Sequence, residues 1–317
     1  MATLGSGQFT YEVSGADWGS LPEDWTYKEA TAVAVDSADN VYVFNRGTHP
    51  IIVFDPDGNI VRTWGDGVFT NPHGVTVGPD DSVYCVDNGD HTVRKFTPEG
   101  KLLMTLGTEG SPSPAMSGDP FCTPAHLAVD PRNGDMYVAD GYCNASVHKY
   151  TPDGRHLFSW GESGTDAGQF NIVHNVAVDA DGWVYVADRE NHRVQVFDDK
   201  GKFETQWVNL SRAACVAVVD NGQRLVYVGE YHCGIGTNSM GTGLGPRVTI
   251  LDGEGNVLAR VGDQTYGDEP GRFYSPHGIA VDSRGDIYVA EVSWSDYGSV
   301  MDPPKELRSM QKLVRKG

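Results

Sequence analysis

Three histidines recur at one place in a repeating pattern. His73 lies in Asn71-Pro72-His73-Gly74-Val75-Thr76-Val77, His174 in Val173-His174-Asn175-Val176-Ala177-Val178, and His277 in Ser275-Pro276-His277-Gly278-Ile279-Ala280-Val281. Each opens a short apolar run, and a tyrosine (Tyr84, Tyr185, Tyr288) follows eleven residues later in all three. Successive members stand about a third of the chain apart. Three neutral imidazoles with an open fourth position are the pattern of a catalytic zinc site. The expected cofactor is therefore one Zn2+, or another divalent transition metal, held by His73, His174 and His277. The same repeat position holds Thr31, Ala125 and Ala214 in the intervening copies, small residues that would leave room for a substrate. A duplicated Pro-His-Gly turn would explain the spacing without a metal, but it gives the alternation no purpose. The other histidines considered, His91, His126, His148, His156 and His192, read as ordinary core or turn residues.

Further polar groups close the next apolar run of each copy: Asn45-Arg46, Asp87-Asn88, Asp140-Gly141-Tyr142, Asp188-Arg189-Glu190, Glu230-Tyr231 and Glu291. Most of the acids read as turn chemistry at strand ends. Arg46 and Arg189 stand out, because a cation beside a metal in an acidic protein suits an anionic substrate group such as a carboxylate. Arg189 reads equally well as half of a packed ion pair.

The elements that must position these residues form six copies of one unit. An apolar run ends in Asp, a polar turn leads to a Tyr-Val pair, a second apolar strand reaches Asp/Pro-x-Gly, and a third often closes on Trp-Gly. Short strands joined by Gly-, Asp- and Pro-bearing turns predict four antiparallel strands per copy. Repeats of this length and strand count are propeller blades. The fold expected is all-β, a six-bladed β-propeller in one domain spanning 1–317, with blades near 29–69, 70–110, 121–168, 170–209, 210–272 and 273–317. The sixth copy lacks a fourth strand. Residues 8–19, with strand-like Phe9 to Val13, supply one, so an N-terminal strand closes the last blade and leaves no open edge. Insertions fall at Gly110–Asp119, Tyr231–Pro246 and Ser293–Lys305. The last two follow second strands and so belong on the histidine face, where loops carry function.

Composition narrows the function. The 317 residues carry a formal net charge of −19, which speaks against nucleic acid and anionic membranes as partners. No apolar run is long enough to cross a bilayer. Met1 to Thr10 lacks a secretory pattern, and five cysteines without zinc-finger spacing fit a reducing compartment. A cytoplasmic monomer acting on a small molecule is expected.

The repeat resembles the NHL family of propellers. The likeness sharpens at Phe121-Cys122-x-Pro, Gly141-Tyr142-Cys143-Asn144, Ala187-Asp188-Arg189-Glu190-Asn191 and the three histidines. These together resemble the catalytic core of peptidyl-α-hydroxyglycine α-amidating lyases. That resemblance implies a zinc on His73, His174 and His277, Tyr142 as the base, Arg46 as the essential arginine and Arg189 lining the site. It implies cleavage of an N-(hydroxyalkyl) amide to an amide and an aldehyde acid. A phenol is a poor base near neutrality unless its phenolate is stabilised, which a metal or Arg46 nearby would do. Cys122 and Cys143 lie at one end of the same blade, and in the family that pair is bridged. The family's second cystine is replaced by Tyr185 and Val196. Gly278 stands where the family has a calcium-binding Asp, so no structural Ca2+ is expected here. With no monooxygenase part ahead of it, the chain is expected to act on a small hydroxylated amide or amine rather than a peptide hormone. Two rival readings are a zinc-dependent hydrolase like the lactonase propellers, whose sites usually use carboxylate and Asn ligands, and a non-enzymatic NHL binding scaffold.

Overall fold

The computed structural model describes residues 2–14, 18–231, 244–262 and 265–317. Its strands assemble into six sheets of at least four antiparallel strands, a six-bladed β-propeller. Blade one comprises Ala30–Val35, Val41–Asn45, Ile51–Phe54 and Ile60–Trp64; blade two Pro72–Val77, Val83–Asp87, Thr92–Phe96 and Leu102–Leu106. Blade three comprises His126–Val129, Met136–Asp140, Ser146–Tyr150 and His156–Trp160; blade four Val173–Val178, Val184–Asp188, Arg193–Phe197 and Phe203–Trp207. Blade five runs Arg212–Asp220, Arg224–Tyr231, Arg247–Asp252 and Val257–Val261. Blade six takes Pro276–Val281, Ile287–Glu291 and Met310–Arg315. Phe9–Val13 pairs with Met310–Arg315, Tyr11 facing Arg315, and so completes the sixth blade. Thr3–Ser6 adds a fifth strand there, which the repeat pattern does not announce. No helix among the described residues is long and apolar enough to cross a membrane.

The chain divides into two compact units, Gly65–Asn209 with blades two to four, and Met1–Trp64 with Leu210–Gly317, holding blades one, five and six. Within the first unit, the first strand of blade three touches those of blades two and four; within the second, that of blade six touches those of blades five and one. First strands are therefore the neighbours from blade to blade. The approach is close. A Cβ on Gly74 would lie 2.5 Å from the Ala125 carbonyl oxygen, and one on Gly278 would lie 2.6 Å from Ala32 Cα. Glycine after His73 and His277 is thus a packing requirement, and no aspartate fits at 278.

In blades four and six the repeated tyrosine and aspartate act together. The rings of Tyr42, Tyr137, Tyr185, Tyr227 and Tyr288 are almost wholly buried. Tyr185 and Tyr288 donate to Asp179 and Asp282 at 2.9 and 3.0 Å. Those aspartates close the first strand's turn by accepting main-chain amides from Trp183 and Asp286. Tyr185 and Val196 are paired on adjacent strands, so an aromatic ring beside a branched aliphatic side chain stands where the resemblance would place a cystine.

Phe9, Tyr11 and Val13 are all buried in one cluster with blade five and six residues. Each such side chain contributes about 1.5–3 kcal/mol on burial. Deleting residues 2–13 is expected to lower stability by several kcal/mol in urea unfolding. An unchanged unfolding midpoint would show that the strand contributes nothing.

Candidate functional site

A buried acid, or Asn45 in blade one, ends every second strand, and each is essentially inaccessible to solvent. They are strand-end anchors, as the sequence suggested for most of them. Asp87 accepts the amides of Thr70 and Asn71 at 2.5 and 2.8 Å, just ahead of His73. Asp188 accepts the amide of Asn171 at 2.7 Å, just ahead of His174. Glu291 accepts Tyr274 and Ser275 at 2.5 and 3.2 Å, just ahead of His277. Asp140 accepts Cys122 at 2.8 Å, and also Asn144 Nδ2 and His148 Nε2. Main-chain amides that lead into a first strand have no ladder partner, and a buried carboxylate satisfies them.

The histidines stand on bulges. In blades two, four and six the pairing register slips at His73, His174 and His277, and in blades one and five at Thr31 and Ala214. An extra residue in one strand breaks the in-out alternation and re-aims its side chain. The three rings are buried, at 2%, 1% and 5% exposure.

In the Gly65–Asn209 unit the side chains of four predicted residues meet. The Tyr142 hydroxyl lies 3.0 Å from His73 Nε2 and 2.9 Å from His174 Nε2. Arg189 Nη1 donates to the same oxygen at 3.2 Å, and its guanidinium lies 5.4 Å from the ring centroid. The His73 and His174 ring centroids are 5.1 Å apart. His73 Nδ1 donates to the Ala125 carbonyl at 2.7 Å. An accepting carbonyl puts the ring proton on Nδ1 and leaves Nε2 a bare lone pair, the form that ligates a metal. Arg189 Nε is tied to Glu190 at 2.9 Å, so the ion pair it makes is with its own neighbour. The amides of Arg189 and Glu190 return to the carbonyls of Ile172 and Asn171. Ile172 sits at φ 62°, a left-handed backbone unusual for a β-branched residue, two places before His174. The guanidinium on the Tyr142 hydroxyl is Arg189.

Tyr142 is held from behind. Cys143 is bridged to Cys122, with Cα atoms 5.1 Å apart. The inserted 110–119 segment lies over this turn: Met116 donates to the Cys143 carbonyl at 2.9 Å, and Asn144 Nδ2 donates to Asp119 O at 2.9 Å.

In the other unit, His277 Nδ1 donates to the Thr31 carbonyl at 2.6 Å, the arrangement His73 makes with Ala125. Arg46 pairs with buried Glu29 at 2.6 Å. The residues between the histidines thus contribute main-chain carbonyls that fix imidazole tautomers, a role no side-chain signature could reveal. Glu29 and these carbonyls are what sequence reasoning missed. Of the insertions, 293–305 begins with a short helix, Ser293–Asp296, whereas most of 231–246 lies outside the described residues.

The NHL repeat model matches residues 69–96, 170–197 and 273–295, the three segments that carry the histidines. Human NHL repeat-containing protein 3 is 33% identical over 87% of this chain and 80% of its own length. The chain belongs to the NHL-repeat family. This NHL-repeat protein is also 31% identical to peptidyl-alpha-hydroxyglycine alpha-amidating lyase 1 of Drosophila melanogaster, over 83% of this chain and 55% of that one. It is 28% identical to peptidyl-glycine alpha-amidating monooxygenase B of Xenopus laevis over 90% of this chain. It spans only 35% of that relative's length.

Two outcomes follow from this geometry. Replacing both Cys122 and Cys143 by serine is expected to cost about 3 kcal/mol of stability, the scale for a loop of this size, read by urea unfolding with and without reductant. A loss limited to a few tenths would mean that the hydrogen bonds hold the turn alone. Burial pushes the Glu291 carboxyl up to about 7, against the opposing pull of Arg308. The folded state therefore holds this proton more tightly than the unfolded chain, where the value is about 4.3. Its stabilisation is complete below that value and is lost as pH rises through 7. Glu291→Gln should gain on the native chain by roughly 1–3 kcal/mol between about pH 5 and 8, seen as a pH-dependent difference in unfolding free energy. A pH-independent difference would contradict it.

Proposed function

We propose that this NHL-repeat protein is a metal-dependent lyase. It cleaves a small N-(α-hydroxyalkyl) amide bearing a carboxylate into an amide and an aldehyde acid. The observation that carries this reading is the Tyr142 hydroxyl seated between two imidazole Nε2 atoms and an arginine. His73, His174 and His277 would hold the metal. The donor set fits: His73 and His277 each direct Nδ1 to a carbonyl, which leaves Nε2 for a cation. All-imidazole ligation favours a transition metal such as zinc over calcium. When bound, such a metal supplies Lewis acidity to a substrate oxygen.

The chain's own residues do the rest. Tyr142, with Arg189 donating into its oxygen, takes the proton from the substrate hydroxyl. The C–O bond gains its second bond as the C–N bond breaks. The departing amide nitrogen takes up a proton, which Tyr142 returns, so no water is consumed. Arg46, fixed by Glu29, binds the carboxylate through its guanidinium. The names of the amidating lyases among the relatives support the same reaction class.

The test uses purified full-length protein and α-hydroxylated N-acylglycines, with glyoxylate release as readout. Close to one equivalent of transition metal is expected, largely lost in His174→Ala. Tyr142→Phe should retain metal and fold but lose roughly a hundredfold or more in turnover. Full turnover in that variant would remove Tyr142 as the base. Lactone hydrolysis in place of aldehyde release would move the protein to the hydrolases.

A further inference from the structure

A second group of chemistry-bearing side chains stands on blade three, apart from the three histidines. Asp140 Oδ2 accepts from His148 Nε2 at 3.1 Å. His148 Nδ1 lies 2.7 Å from Ser159 Oγ, and His156 Nε2 lies 2.9 Å from the same oxygen. Asp140 and His148 are buried, Ser159 is half-buried and His156 is exposed. The line therefore runs from inside the blade to its edge strand, His156–Trp160. The other blades supply the contrast. Gln195 in blade four and Gln311 in blade six stand where His148 stands, and each donates to its strand-end acid, at 3.1 and 3.4 Å. An amide suffices for that anchoring, and it takes up no proton. Asp87, Asp188, Glu230 and Glu291 also each have an arginine within 4.0 Å. Asp140 has none among the described residues: its ionic partner is His148, and its Oδ1 is buried without a donor.

Proton positions follow from this order. A carboxylate only accepts, so neutral His148 carries its proton on Nε2 and leaves Nδ1 a bare lone pair. The Ser159 hydroxyl then donates to Nδ1, and His156 Nε2 donates to Oγ. Acid, imidazole and hydroxyl in this sequence form the activated nucleophile of acyl-transfer sites. We propose that Ser159 is a nucleophile towards small, uncharged activated esters, with His148 as its base, in a second site that needs no metal. The half-buried hydroxyl limits the acyl group to a small one. Oγ bonds to the acyl carbon as His148 Nδ1 takes the hydroxyl proton, and the imidazolium faces Asp140. The bond from the acyl carbon to the leaving oxygen breaks, and that oxygen takes the proton from Nδ1. Water, giving its proton to His148, then cleaves the acyl-serine, and Ser159 recovers that proton. One ester and one water thus give an acid and an alcohol. Asp140 is a positioning residue, which sets the His148 tautomer.

The full chain, with and without chelator, is offered p-nitrophenyl acetate and, separately, an alkyl fluorophosphonate. Nitrophenol release and a single phosphonyl adduct, mapped to Ser159 by peptide mass, are expected under both conditions. Ser159→Ala should lose the adduct and the release. His148→Gln, which installs the residue of blades four and six, should keep the urea midpoint and slow labelling by about a hundredfold or more. In Asp140→Asn the new amide donates to Nε2, so the ring proton should move to Nδ1, read from the 15N shifts of His148, and labelling should slow with it. No adduct on Ser159, or labelling at the native rate in His148→Gln or in Asp140→Asn, overturns the proposal. Nitrophenol release that survives Ser159→Ala and stops with chelator assigns the ester cleavage to the three histidines and overturns it as well.

Discussion

The structure depends on a carboxylate that has no water to talk to. At the end of each second strand from blade two to blade six, an acid is buried and filled with donors, among them main-chain amides of the segment that leads into the first strand. Burial of Asp188 raises its carboxyl against the pull of Asn171, Asn191 and Arg193, and Arg193 in turn reaches the carbonyls of Thr165, Asp166 and Gln169. A charge in that setting tolerates little displacement, because an unpaired buried ion costs several kcal/mol. Each lead-in segment is therefore tied down by its acid just ahead of the first strand. Blade one uses Asn45 instead, bonded to the carbonyls of His49 and Pro50 and the amide of Gly47, and moves its acid to Glu29.

On that base the bulge performs the selection. A regular strand would bury the side chain after Pro72 or Pro276 in the blade. The slipped register presents it to the neighbouring first strand, where a carbonyl of the next blade fixes its proton. Histidine and small residue are thus two halves of one contact, made by His73 with Ala125 and by His277 with Thr31. Ala125 and Thr31 are small because another chain segment must come within hydrogen-bond reach of their main chain. The same crowding requires Gly74 and Gly278, so no side-chain carboxylate can stand at 278.

The blades, their order and the closing strand were legible because period-two patterning, turn residues and a tyrosine in the second strand repeat in every copy. Phe9 to Val13 could be read as the missing strand because the sixth copy visibly lacked one. The meeting of Tyr142 with His73 and His174 followed from its offset past the second strand, together with the resemblance. What stayed hidden has a common physical character. The Ala125 and Thr31 carbonyls act through main chain, which no residue type betrays. Glu29 lies outside the repeating acid position. Arg189 and Arg46 look alike in sequence, and only geometry assigns Arg189 to the phenol. Thr3–Ser6 carries too little apolar patterning to announce a strand.

The sixth blade joins Phe9–Val13 to Met310–Arg315. On the ribosome, the first of these strands emerges before every strand of the other five blades and its partner after all of them. Every other blade can form from neighbouring residues while synthesis continues, but this one waits until the other five have been made. Joining segments so far apart in sequence is the slowest kind of folding event, since loop closure precedes any reward from contact. Until then Phe9 and Tyr11 stand uncovered, the condition in which a growing chain draws chaperones or sticks to another copy. The seam that seals the finished blade is thus the point at which its birth is most exposed.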